Sequence, residues 1–554
     1  MASWTLDNPV ITKELRGRMR GARTYWLLFS YLLLLSLILF FSYLGWWSSH
    51  SGAMETGASA AGFTVGRTFF KVLFYSQAVM IALITPALTA GAISIEREQR
   101  TFEMLRSTTL RPGSIVCGKL ASSVSFVALL LTSSLPLLSL CFLLGGVSPG
   151  EVFFAYLLLV GDAFLFGAIG LCWSAYAANT ATATVLSYAT LIVFFVATFP
   201  FAIPTLGTNG FTPSYGLCAL NPVGAVTGAV LPEHYYGWTL PGWVPALLIN
   251  GTLSALLVLA CINRLEDFPH RKAFALRVIT LLFAGLIVFF GSGILFGAGP
   301  AVNALTPSIQ MMMMTSITAV VLILFVPVLV TGDREAWGSQ ISALAQAWSP
   351  RRVFGDATLP SGLPLALLLL VVVVGTSFGA LYLRAQGLAP TAIANGGVPL
   401  PRTALPPVSD VLQQAAAMLA LIVVGISGLG FLLSILLRNR WSSLTLTYLA
   451  VVLAIALPFF SYALLSGEDA QRSAAGNPVI NSLFLCPFIP LWQLTDTLNS
   501  PRTFGRHDVF PGMAGYGVWP LWIGTGLTYL AIGLISYALA FLILRRQSAG
   551  PKTA

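Results

Sequence analysis

Glu96, Arg97, Glu98, Arg100 and Glu103 crowd together directly after a long apolar run, in a chain whose charged residues make up only 9% of the total. Charge at the end of a membrane span must sit among the headgroups or in water, and a short amphipathic segment there is well placed to touch a soluble partner. The plainer reading is that these charges do no more than stop the span. Asp162 is the second feature with chemical content, since it lies deep inside the apolar run Leu159-Val160-Gly161-Asp162-Ala163. An ionised carboxylate in hydrocarbon costs at least about 2.5 kcal/mol, so Asp162 should face other helices or a wet cavity. It reads either as a polar, proton-sensitive lining of a conduit or as a packing contact hydrogen-bonded to Ser, Thr or Gln on a neighbouring helix.

Other arrangements fail on spacing. Gly113 to Leu120 resembles a phosphate-binding loop, but Leu120 stands where Ser or Thr would hold magnesium, and a span follows. Met311 to Met314 are consecutive, so on a helix they point about 100° apart and cannot share one metal. His50, His234, His270 and His507 lie far apart, and no Ser-His-Asp set or catalytic carboxylate pair is present. Cys218 and Cys486 both fall in outer loops, where a disulfide can form in an oxidising compartment. The sequence thus gives no catalytic, cofactor or metal residues.

The elements that must carry these residues follow from composition. With 56% apolar residues and a mean hydropathy of +0.84, the chain reads as an all-α, polytopic membrane protein. A span needs about 20 mostly apolar residues. Twelve stretches qualify: 25–47, 69–94, 117–146, 152–178, 181–204, 242–262, 276–297, 312–331, 361–383, 411–437, 442–466 and 517–544. With the N-terminus in the cytoplasm, only Arg67, Lys71, Arg384, Arg402, Arg472, Arg502 and Arg506 of the 29 basic residues fall outside. Positive charge therefore places both termini inside. The net charge of +10 is a topology signal and calls for no nucleic acid.

Residues 1–24 form a cytoplasmic lead-in in which Val10, Ile11, Leu15 and Met19 recur at helical spacing among basic residues. This is either a helix lying on the lipid surface or ordinary flanking charge. The chain then reads as one six-span design written twice, 25–262 and 276–546, joined by a cytoplasmic linker at 263–275 and closed by a tail at 547–554. Glu96-Arg97-Glu98 is matched by Asp333-Arg334-Glu335, Asn221-Pro222-Val223 by Asn477-Pro478-Val479, and Tyr236-Gly237-Trp238 by Tyr516-Gly517-Val518-Trp519. Both halves start inside, so the repeats are parallel.

The run Glu96-Arg97-Glu98-Gln99-Arg100-Thr101 after the second span resembles the coupling segment of type-2 ABC exporter permeases, over 8–146 most clearly and more faintly beyond 262. The resemblance implies a cytoplasmic coupling helix within 95–116 that contacts a separate ABC ATPase, which would hold the ATP and magnesium. Asp333, Arg334 and Glu335 open the second counterpart, 332–356, which diverges. There Asp replaces Glu, and Ile341, Leu344, Ala345 and Trp348 make an amphipathic stripe that could lie on membrane lipid or dock to a partner. The resemblance also implies short re-entrant helices in the outer segments 205–241 and 467–516, a prokaryotic cytoplasmic membrane, and either a homodimer or a single chain supplying both halves. A secondary transporter with two six-span halves, or a membrane assembly factor, are the alternatives.

Overall fold

A computed structural model describes residues 9–19, 22–50, 58–101, 111–145, 147–206, 232–235, 238–265, 273–293, 307–330, 366–375, 408–437, 440–465, 486 and 521–548. It is helical nearly throughout, because backbone in hydrocarbon must satisfy its own hydrogen bonds. The helices are α1 (Pro9–Met19), α2 (Ala22–His50), α3 (Ala58–Thr89), α4 (Ser94–Glu98), α5 (Pro112–Ser133), α6 (Leu135–Leu144), α7 (Pro149–Tyr176), α8 (Thr180–Leu206), α9 (Trp243–Leu265), α10 (Ala273–Gly293), α11 (Pro307–Val330), α12 (Ala366–Gly375), α13 (Val408–Leu436), α14 (Arg440–Leu465) and α15 (Leu521–Ser548). Among the described residues, seven helices are long and apolar enough to cross a bilayer. Five shorter apolar helices fall inside the remaining predicted spans, in α8, α10, α11, α12 and α14.

Local sequence sets several helix starts. Pro112 and Pro149 open α5 and α7 from the first turn, where a missing N–H costs nothing. Ser148 caps α7 by accepting from the Glu151 amide at 3.2 Å, while Glu151 reaches back to the Ser148 amide at 3.4 Å. Two boundaries differ from expectation. Residues 112–116, expected in the coupling segment, belong to α5, because Pro112 begins the helix early. The α3 helix stops at Thr89, a few residues past Pro86, and the chain turns through Gly91. Within 205–241, Pro232–Tyr235 and Trp238–Pro241 form an antiparallel pair, with Tyr235 opposite Trp238, while 207–231, where a re-entrant helix is expected, lie outside the described residues. Tyr, Thr and Trp favour the extended backbone.

The chain divides into two compact units, Met1–Phe283 and Ala284–Ala554. In the first, α7 is the central helix and packs against α3, α5, α8 and α9. Phe74, Leu158, Leu159, Phe166 and Leu171 are buried there. Between helices in lipid, van der Waals packing rather than water exclusion drives association, so small residues sit where backbones approach. A Cβ on Gly170 would lie 2.1 Å from Thr89 Oγ1 and 3.2 Å from the Pro86 Cα. In the second unit α13 and α15 meet the same way, a Cβ on Gly533 falling 2.7 Å from the Val424 carbonyl oxygen.

One contact recurs in both units. The Tyr188 hydroxyl donates to the Leu83 carbonyl at 2.6 Å, and the Tyr448 hydroxyl donates to the Leu324 carbonyl. The acceptors precede Pro86 and Pro327 by the same interval. Ser174, Asn179 and Tyr188 recur at identical spacing as Ser434, Asn439 and Tyr448, and Pro86-x-Leu88-x-x-Gly91 as Pro327-x-Leu329-x-x-Gly332.

Replacing Gly170 or Gly533 by Val forces backbones apart and should destabilise its unit by at least about 1–3 kcal/mol, the usual scale of overpacking. Gly251, which has open space around it, tolerates Ala. Thermal unfolding of the detergent-solubilised variants checks the contrast.

Candidate functional site

The helix α4 has only five residues, far too few to hold itself together in water. Its order comes from neighbours. At its start the Ser174 hydroxyl, on α7, accepts from the Ile93 amide at 2.9 Å and the Ser94 amide at 3.0 Å. These are first-turn donors that α4 cannot satisfy internally. Ser94 itself donates to the Ala90 carbonyl at 3.0 Å, tying the turn to the end of α3. At its other end the Arg100 amide bonds the Arg97 carbonyl at 3.1 Å, and the Thr101 amide bonds the Glu96 carbonyl at 2.9 Å. This is the Schellman closure, with Arg100 in the left-handed position at φ 57° that glycine usually takes.

Two side chains of α4 cross to the turn between α7 and α8. Arg97 donates from Nη2 to the Ala175 carbonyl at 3.0 Å and from Nη1 to the Ala177 carbonyl at 2.8 Å. Glu98 Oε1 accepts from the Thr180 amide at 2.7 Å and from its hydroxyl at 3.1 Å. A cation thus meets the negative end of α7 and an anion the positive end of α8, the favourable sense for both helix dipoles. Glu96 turns the other way. Its Oε1 lies 2.8 Å from Lys119 Nζ on α5, and Lys119 also pairs with Glu14 on α1 at 3.1 Å. Lys119 is only 3% exposed, and the two carboxylates give this buried ammonium its ion-pair partners. Residues 113–120, the stretch resembling a phosphate loop, lie on α5, and Lys119 serves this ion-pair cluster.

The structure therefore brings Glu96, Arg97 and Glu98 into one assembly joining α1, α4, α5, α7 and α8. Ile95, at 45%, Glu98, Gln99 and Arg100 are exposed. Glu103 and the trio Asp333, Arg334 and Glu335 lie outside the described residues, as does Cys218. Ser174, Thr180 and Glu14 were missed by sequence reasoning, since nothing in their own neighbourhoods marks them. Lys119 did carry a signal, as a cation at the edge of an apolar run.

Asp162, 1% exposed, pairs with Asn250 on α9, whose Nδ2 donates to Asp162 Oδ1 at 3.1 Å. The partner is an asparagine rather than the expected Ser, Thr or Gln. Asp162 Oδ2 and Asn250 Oδ1 have no hydrogen-bond partner among the described residues. A second buried polar group joins three helical segments: Gln77 Nε2 donates to Ser134 Oγ at 2.8 Å and to the Tyr156 hydroxyl at 3.3 Å.

A protein with these features is a polytopic helical membrane protein whose charged residues bind helix ends together. No protein-family model matches the chain, and no curated protein sequence matches it.

In Asp162→Asn the new amide keeps the Oδ1 acceptor and offers a donor to Asn250 Oδ1, so stability is retained. Asp162→Ala strands a buried amide and costs about 1–3 kcal/mol. Parallel thermal unfolding of the two variants distinguishes them, and equal stability would rule out the pairing.

Proposed function

We propose that this chain is the transmembrane permease subunit of an ATP-binding-cassette exporter, in the cytoplasmic membrane with both termini inside. Its energy would come from ATP hydrolysis on a separate subunit docked at the cytoplasmic face. The observation that carries the reading is α4: a short helix directly after an apolar helix, fixed to the ends of α7 and α8, with Ile95, Glu98, Gln99 and Arg100 exposed. An exposed arginine and an exposed isoleucine within six residues suit a partner surface that offers a carboxylate and an apolar seat. Arg100 adds to this. A non-glycine residue in the left-handed region costs roughly 1–2 kcal/mol, and such outliers concentrate where function keeps them. The recurrence of the Tyr188 contact at Tyr448 supports a chain that carries two related halves.

Nucleotide closure in the partner would press on α4, and the rearrangement would pass to the spans. The chain's own residues bind the partner and transmit movement; the hydrolytic chemistry lies in the other subunit. A secondary transporter is the second reading, favoured by one observation, the buried Asp162–Asn250 pair, each with one oxygen that has no partner among the described residues.

Affinity purification of the tagged chain in mild detergent tests the two. An ATPase subunit of ordinary domain size should accompany it, and its copy number reports whether one chain or two form the conduit. Arg100→Gly should leave the chain at least as stable, because glycine suits the left-handed turn. It should weaken the ATPase's hold about tenfold, the loss of roughly 1.4 kcal/mol expected of a central arginine contact. A chain that purifies alone under all conditions would overturn the permease reading and leave the secondary transporter.

A further inference from the structure

The residues of the same short helix divide into two kinds of work. We propose, resting on the permease reading, that Arg97 and Glu98 are positioning residues that lock α4 to the α7–α8 turn. A load applied at Ile95, Gln99 and Arg100 is thereby delivered to the fourth and fifth spans. The charged segment as a whole reads as a docking surface from sequence, yet its hydrogen bonds divide it, Glu98 being exposed but already bonded to Thr180. Arg97 has both ends of its guanidinium on the Ala175 and Ala177 carbonyls, at 3.0 and 2.8 Å. Glu98 has one carboxylate oxygen on both the amide and the hydroxyl of Thr180, at 2.7 and 3.1 Å. Ser174 holds the first two amides of the same turn of backbone.

Three side-chain links therefore fasten α4 to one short stretch, residues 174–180, from both flanks. Covalent continuity joins α4 instead to α3, through the turn at 90–93. That turn is braced by the Ala90 and Ser94 bonds within its own strand of chain. Two routes then lead from α4 into the membrane. The covalent route ends at α3. The hydrogen-bonded route ends at α7, the helix against which α3, α5, α8 and α9 all pack, and at α8. Charge-assisted bonds to helix ends resist both shear and separation, because each acceptor or donor belongs to backbone whose own helix cannot satisfy it. Glu96 does not share this task. Its link runs to Lys119 and Glu14, on α5 and α1.

The test uses the complex of the full chain with its ATPase subunit, in wild type, Glu98→Gln, Thr180→Ala and the double variant. Deuterium uptake of the amides at 177–184 is measured with and without ATP plus vanadate, beside the copy number of bound ATPase and its hydrolysis rate. Expected is undiminished ATPase binding in every variant, with the nucleotide-dependent change in uptake reduced about fivefold in Glu98→Gln, the factor given by one hydrogen bond of ordinary net strength, and reduced less in Thr180→Ala, which keeps the amide contact. The loss in the double variant should fall short of the sum of the singles, since both substitutions act on one link, Thr180→Ala removing the hydroxyl contact and leaving the amide one. Thr180→Ala removes only a hydroxyl and guards against misfolding in Glu98→Gln. Loss of ATPase binding in either single variant would make Glu98 a docking contact, overturning the joint while leaving the permease reading intact. An unchanged nucleotide response would overturn the joint as well. Absence of any ATPase from wild type would remove the permease reading itself.

Discussion

A helix satisfies its backbone everywhere except at its two ends, and in a bundle of membrane helices those ends gather in the interfacial layers. In the first unit the demand is concentrated where α7 stops and α8 starts, with only three residues between them. The last carbonyls of one helix and the first amide of the next are therefore presented side by side, opposite in polarity. Arg97 and Glu98, adjacent on a five-residue helix, answer both at once. The remaining architecture of that end depends on this match. It fixes α4, which has no stability of its own, and through Glu96 and Lys119 it brings in α1 and α5.

Inside the spans a different constraint rules. Lipid tails are as apolar as leucine, so burial alone does not pull helices together, and contact quality decides. Gly170 lets α7 approach α3 at the point where Pro86 sits, and Gly425, Gly428 and Gly533 let α13 approach α15. Polar side chains add specific joints. Asn250 finds Asp162, and Gln77 finds Ser134 and Tyr156. The tyrosine hydroxyls at 188 and 448 reach backbone carbonyls just before a proline in α3 and α11. Each unit also has a described feature of its own. The first carries a buried Asp–Asn pair between α7 and α9; the second has an apolar pocket beside Gly425, Ile426 and Tyr529.

How far the candidate site could be read beforehand depends on which residue is asked about. The cluster at 96–100 announced itself by charge density after an apolar run, and Asp162 by being an acid where acids are costly. Neither signal named a partner. Ser174 looks like any serine in a span, and Thr180 like any threonine near a helix start. Their roles arise because folding returns the chain to α4 roughly eighty residues later, at separations that no local pattern encodes.

The sequence by itself determined the class. Apolar runs of span length can be stable only as helices in a bilayer, so an all-α polytopic chain follows from composition and solvent. Proline and serine likewise determined where α5 and α7 begin, since those rules operate within a single turn. Only the tertiary structure decided that Glu96, Arg97 and Glu98 face three different partners, because adjacent residues on a helix point in different directions and what each meets depends on which helices pack nearby. It also decided that Asp162 pairs with Asn250. Sequence could say that a buried acid needs a partner; the choice of partner belongs to the packing of α7 against α9.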